Sequence, residues 1–187
     1  NADLRGYEQV WEINRSSEAA HASHFSGTSV GTYSTATKNL FEDYLQAGGV
    51  MYKAGELNGN GYNVQNNNAD SLIEQVGGNF SYGSTVSSNW TFNSDYRVGP
   101  AGSETYGMPS GSPITTNDGS YIISNQVSAE WGPDVLSSNI HGTIMAQLDF
   151  NHLGSNSWAA ADEEHPYIAK TYINWLETES EDNTGGI

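Results

Sequence analysis

The chain has 187 residues, 36% of them hydrophobic, with 22 Asp plus Glu against 6 Lys plus Arg, a formal charge of −16. That length suits one domain spanning 1–187, and the acidity excludes nucleic acid, whose phosphates would be repelled with no basic patch to receive them. The lack of cysteine excludes disulfide scaffolds, thiolate metal sites and cysteine nucleophiles, and no apolar run of about eighteen residues is present to cross a membrane.

In chain order, YEQVWEI (7–13) reads as a short strand, with Val10 and Ile13 apolar and Trp11 adding bulk. Residues 16–33 are small, polar and Gly-rich. A helix is predicted over about 35–47, capped by Ser34 or Thr35, with Leu40, Phe41, Tyr44 and Leu45 as its apolar stripe. Gly48 and Gly49 supply its left-handed exit. Val50 to Ala54 is the next strand, and it runs into the loop GELNGNGYN. A second helix is predicted at 70–76, where Ser71 and Glu74 have capping-box spacing and Gly77-Gly78 stops it.

Residues 79–120 read as a long decorated connection with hairpin pieces, ending in the turn Asn117-Asp118-Gly119. Tyr121 to Ser124 looks like a strand, and Trp131-Gly132-Pro133 like a break. IHGTIMAQLDF (140–150) alternates as a half-buried strand does. A last helix is predicted from Pro166 to about Glu177, burying Ile168, Tyr172, Trp175 and Leu176, before a polar tail. Strands alternating with helices imply an α/β fold with a mainly parallel sheet flanked by helices, and an insertion around 79–120.

In an open α/β sheet, ligands sit beyond the carboxyl ends of the strands. The first predicted strand ends in Glu12, Asn14 and Arg15, the second in Glu56, Asn58 and Asn60, the third in Asp149, Asn151 and His152. Asp162, Glu163 and Glu164 precede the last helix. Such an oxygen-rich rim suits calcium, which takes six to eight oxygen ligands. Glu12, Glu56, Asp149, Asn151, Asp162 and Glu163 are the candidate metal ligands. An ordinary solvated rim and a catalytic carboxylate are the alternatives, since carboxylates favour helix N-termini and Asn and Gly make turns. A calcium-rich extracellular space or a salt-loaded cytoplasm would offset the self-repulsion of so acidic a chain.

Trp90, Tyr96, Arg97 and Tyr106 lie in one Gly-rich stretch, either as ligand anchors or as a satellite core capping the sheet. With Arg15, Asn58 and Asn60 they form the candidate ligand-binding set, and Arg15 or Arg97 could fork a carboxylate or tie down a loop. Catalytic motifs are weaker. Gly27-Thr28-Ser29-Val30-Gly31 matches a nucleophile elbow without the strand before it and the helix directly after it. His21 and His24 have no identified third ligand, and GNG at 59–61 lacks the spacing of a dinucleotide loop. No catalytic residue is assigned.

YEQVWEI, LFEDYLQAGGVMYKAGE, GTIMAQLDFNHL and YINWLE together resemble glutamine-amidotransferase-like, flavodoxin-like domains of bacterial extracellular proteins. Catalytic members of that class use a cysteine with His and Glu partners. This chain has no cysteine, so that chemistry does not carry over. The acidic, cysteine-free, Asn/Gly/Ser-rich composition is also similar to the ligand-binding, peptide-binding domains of calcium-dependent RTX-type bacterial adhesins. That resemblance implies an extracellular or cell-surface, Ca2+-dependent module of a longer chain. It would recognise a peptide, protein or glycan on another cell surface, with no enzymatic activity. With neither an initiator Met nor a signal-like start, the sequence is expected to be a mature or excised segment. The rival expectation is a hydrolase using Ser29 or a carboxylate.

Overall fold

The computed structural model describes residues 3–13, 31–58, 63–93, 111–149 and 165–184. Within them, β1 (Gln9–Glu12) is followed by α1 (Thr35–Gln46), β2 (Val50–Ala54) and α2 (Asn63–Gln75). Next come β3 (Ser81–Tyr82), β4 (Ile114–Thr115), β5 (Ser120–Tyr121), β6 (Ser128–Trp131), β7 (Thr143–Gln147) and α3 (His165–Thr184).

Local chemistry sets the first helix. The Ser34 hydroxyl accepts from the Thr37 amide, which satisfies one of the orphan donors of the first turn. At the other end Gly48 adopts a φ of 86°, and the Gly49 amide donates to the Tyr44 carbonyl at 3.0 Å. α2 closes in the same way, with Gly77 at φ 96° and the Gly78 amide on the Ile73 carbonyl at 2.9 Å.

Five strands form one sheet in the order β1-β2-β7-β6-β5, and β3 pairs with β4 in a separate ribbon. The sheet is mixed, and the expectation of a mainly parallel one is corrected. β1, β2 and β7 are parallel, whereas β6 runs antiparallel to both β7 and β5. The reason is connectivity. Antiparallel neighbours need no crossover helix, so the chain meanders from β5 through β6 into β7 over residues 122–142.

Other departures are local. α2 starts at Asn63 instead of residue 70, because Gln65, Asn66 and Asn68 turn inward and are fully buried. β6 lies where the sequence showed only the break after it, and α3 runs on to Thr184. β7 is buried on both faces rather than half-buried.

The two faces of the sheet differ. One carries Met51, Ile144, Ala146, Leu148, Ala129 and Trp131, all buried, beneath α1 and α2. The other lies beneath α3 and mixes the buried Val50, Tyr52, Ala54 and Met145 with polar groups that bond the helix. There Tyr172 donates to Gln147 Oε1 at 2.5 Å, the Trp175 indole to Glu130 Oε2 at 2.5 Å, and the Thr143 hydroxyl to Glu179 Oε2 at 3.0 Å. The entry to β7 needs glycine. A β-carbon on Gly142 would stand 2.0 Å from the Gly49 carbonyl oxygen.

Candidate functional site

The parallel strands β1, β2 and β7 bring Glu12, Lys53, Glu56 and Asp149 to one end of the sheet. Lys53 is wholly buried, and its ammonium lies 3.0 Å from Glu12 Oε2, on a side chain that is 16% exposed. It also donates to the Ala54 carbonyl at 3.2 Å. The Tyr33 hydroxyl donates to the same Glu12 oxygen, and the Tyr33 ring sits 5.4 Å from the Lys53 nitrogen. Burial lowers the Lys53 pKa from its ordinary value, and the neighbouring Glu12 charge partly restores it. Tyr33 is fixed in turn by Asn68, whose side-chain oxygen accepts from the Tyr33 amide at 2.8 Å and whose nitrogen donates to the Gly31 carbonyl at 3.1 Å.

The loop after β2 is held as firmly. Asn66 forms a reciprocal clamp on Glu56, accepting from its amide at 3.0 Å and donating to its carbonyl at 2.8 Å. The Glu56 carboxylate accepts from the Leu57 amide at 2.9 Å and is only 3% exposed. Asn58 bridges to the next layer, donating to the Gly83 carbonyl at 3.2 Å while its own carbonyl takes the Thr85 hydroxyl at 3.2 Å.

At the end of β7, Asp149 is fully buried. Segment 111–112 lies across it: the Ser112 amide donates to the Leu148 carbonyl at 3.1 Å, and a β-carbon on Gly111 would stand 3.1 Å from Asp149 Cβ. Tyr52 and Tyr172 share this interior. Burial raises both hydroxyl pKa values above the ordinary phenol, and the Asp149 charge adds to it.

Among the described residues, these contacts hold the strand-end side chains within the fold. Among the described residues no group of three or more His, Asp or Glu could hold a metal ion. Glu12 faces Lys53, Glu56 is turned onto Leu57, and Asp149 lies beneath segment 111–112. Asn151, Asp162 and Glu163 lie outside the described residues, as do Arg15, Asn60, Tyr96, Arg97, Tyr106 and Ser29. Trp90 is 1% exposed and packs edge-to-face on Phe92 at 5.1 Å, so it fills core space. Phe92 continues onto Tyr172, Tyr172 onto Tyr52, and Tyr52 stacks on Trp11 at 4.5 Å.

The sequence reading missed Lys53, Tyr33, Asn66 and Asn68. A lone lysine inside an otherwise apolar strand, VMYKA, was the available signal, since a buried ammonium needs a partner. A cleft of about 630 Å³ lies at the opposite end of the sheet, between residues 3–5 and the C-terminal half of α1.

No protein family and no curated protein matches the chain. Among solved structures its fold is similar to the mmIFT52 N-terminal domain, with a TM-score of 0.63 and 14% identity over 93% of this chain and 79% of that one. That likeness replaces the resemblance to amidotransferase-like domains and RTX-type adhesins. With it fall the calcium-dependent adhesion module that recognises a peptide or carbohydrate, and the hydrolase alternative.

Proposed function

We propose that this chain is a non-catalytic interaction domain that serves as a component of a protein assembly. The inward bonding of the described strand-end residues carries the reading. Where α/β domains hold small ligands, Lys53, Glu12 and Tyr33 are bonded to one another here, Asn66 is bonded to Glu56, and segment 111–112 is bonded to Leu148 and Val86. A reacting group needs access to substrate, and the described carboxylates at this rim are engaged inward. The fold likeness to the N-terminal domain of mmIFT52, an intraflagellar-transport protein, supports the same kind of role, with protein partners in place of a glycan on another cell. No helix among the described residues is long and apolar enough to cross a membrane. The charge of −16 supports work in cation-rich surroundings and with basic partner surfaces.

The test is cross-linking mass spectrometry combined with native size analysis of the full protein in extracts of its own cells. The domain is expected to migrate with a stoichiometric partner and to cross-link to it. A chain that runs alone at its native concentration ends this reading.

A further inference from the structure

We infer that the outer edge of β1 is a docking site for an extended basic segment of a partner polypeptide, which adds to the sheet as a sixth strand. The inference rests on the interaction-domain reading and names the surface it uses.

The two edges of the sheet are treated differently. At the β5 end, residues 91–93 bridge residues 122–124 just past the strand, with the Asn93 amide donating to the Ile122 carbonyl at 2.9 Å and the Ser124 amide to the Thr91 carbonyl at 2.9 Å, and the Asn93 side chain donates to the Tyr121 carbonyl of β5 itself. β1 has β2 on one side and, among the described residues, no strand on the other. Exposed edges are commonly blunted by Lys, Pro or a bulge. The sequence of β1, QVWE, has neither Lys nor Pro and pairs with β2 in unbroken register.

The exposed large hydrophobic residues point to the same place. Among the described residues they are Tyr7, Ile13 and Ile173, at 63%, 47% and 45% exposure. Tyr7 and Ile13 bracket β1, and Ile173 lies beside it on α3, its carbonyl accepting from Gln9 Nε2 at 3.4 Å. At ~3.3 Å per residue, the four residues of β1 offer about 13 Å of pairing edge, room for a core of about four partner residues whose ends reach Tyr7 and Ile13. Strand addition supplies affinity through main-chain hydrogen bonds and specificity through alternate side chains. Glu8 is exposed at the start of this edge, and the whole chain carries −16, so the partner segment is basic with apolar residues at alternate positions.

The probe is a synthetic peptide of about eight residues alternating lysine and valine, with a glutamate–valine peptide as control. Amide hydrogen exchange of Gln9 to Glu12 in the full chain is the readout. In the free protein the outward amides of β1 are expected to exchange faster than those of β2. The basic peptide should slow them at least tenfold and the acidic one leave them unchanged. Tyr7→Ser with Ile13→Ser should weaken the peptide at least tenfold at an unchanged melting temperature. Three results overturn the inference: β1 as protected as β2 in the free monomer, so that the chain covers its own edge; protection that grows with protein concentration, so that a second copy takes it; or peptide binding unaffected by the double substitution. Native cross-links confined to another face would also overturn it while leaving the interaction-domain reading intact.

Discussion

Removing the Glu12 charge should destabilise the protein far more than removing the lysine it faces. Lys53 is wholly buried, so its ammonium has lost its hydration and depends on Glu12 at 3.0 Å and the Ala54 carbonyl at 3.2 Å. Breaking a buried pair by removing one partner costs about 3–5 kcal/mol. Glu12 is 16% exposed and Glu12→Gln keeps a hydrogen-bond acceptor, so the lower figure applies, about 3 kcal/mol. For a chain of this size that lowers the melting temperature by about 6–12 °C. Lys53→Met leaves Glu12 with the Tyr33 hydroxyl and partial hydration, and should cost about 1 kcal/mol or less.

The double variant should therefore be more stable than Glu12→Gln alone. Alkaline pH reports on the same pair. Burial lowers the Lys53 pKa below 10.5, so the unfolded chain binds that proton more tightly, and this contribution to stability rises with pH between the folded pKa and 10.5. Above about 10 the tyrosines act oppositely. Burial raises Tyr44 to about 12 and pushes Tyr52 and Tyr172 up, so the unfolded chain ionises first and stability falls. In Glu12→Gln the restoring charge is gone, and the lysine-driven rise should begin at lower pH and be larger. Urea unfolding across pH 7 to 11 reads both effects. A Glu12→Gln protein within about 1 kcal/mol of the parent, with the same pH profile, would refute the dependence of Lys53 on Glu12.

Asn66→Leu should cost about 2–4 kcal/mol in urea unfolding, since it strands the buried amide and carbonyl of Glu56 together. Gly142→Ala should lower stability by about 3 kcal/mol or leave the protein insoluble, because its β-carbon meets the Gly49 carbonyl oxygen, backbone that cannot swing aside. Sodium chloride should raise the melting temperature steadily by screening the −16 charge, and a melting temperature flat in salt would show that the carboxylates do not repel one another appreciably. Calcium and magnesium at matched ionic strength should stabilise equally, and a calcium-specific gain would restore the rim as a cation site.

What the sequence made legible was what neighbouring residues decide. α1 could be placed from Ser34 and the Gly48-Gly49 exit because cap and stop are local. The first turns of α2 could not. Asn is a poor helix former, and the deficit is offset by bonds outside the helix, Asn66 to Glu56 ten residues back and Asn68 to Tyr33 and Gly31 more than thirty residues away. Lys53 was hidden for a related reason. VMYKA reads as a buried strand whether or not a carboxylate waits for the lysine, and Glu12 reaches it only through the β1–β2 register. The oxygen-rich strand ends were seen, but their direction was not. Whether Glu56 and Asp149 face water or the interior depends on Asn66 and on segment 111–112 lying over them. Trp90, open in the sequence between anchor and satellite core, packs as core for the same reason, its surroundings being set by Phe92 and the aromatic chain beyond.

The polar bonds between α3 and the sheet explain how an exposed edge can still have a fixed shape. An apolar helix face tolerates a small slide over an apolar sheet, because burial is non-directional. α3 has no such freedom. Tyr172 to Gln147, Trp175 to Glu130, Glu179 to Thr143 and the Ile173 carbonyl to Gln9 are directional bonds spread along the helix. A slide of one residue would break several at once and strand the buried partners, at about 1–3 kcal/mol for each. The register of α3 is therefore fixed more tightly than its apolar area alone would require. Ile173 is held beside β1 as a consequence, and Gln9, tied to the Ile173 carbonyl, couples the edge strand to the helix. A surface made from β1 and α3 thus comes preorganised, and a segment docking there would meet backbone groups and apolar side chains already in place.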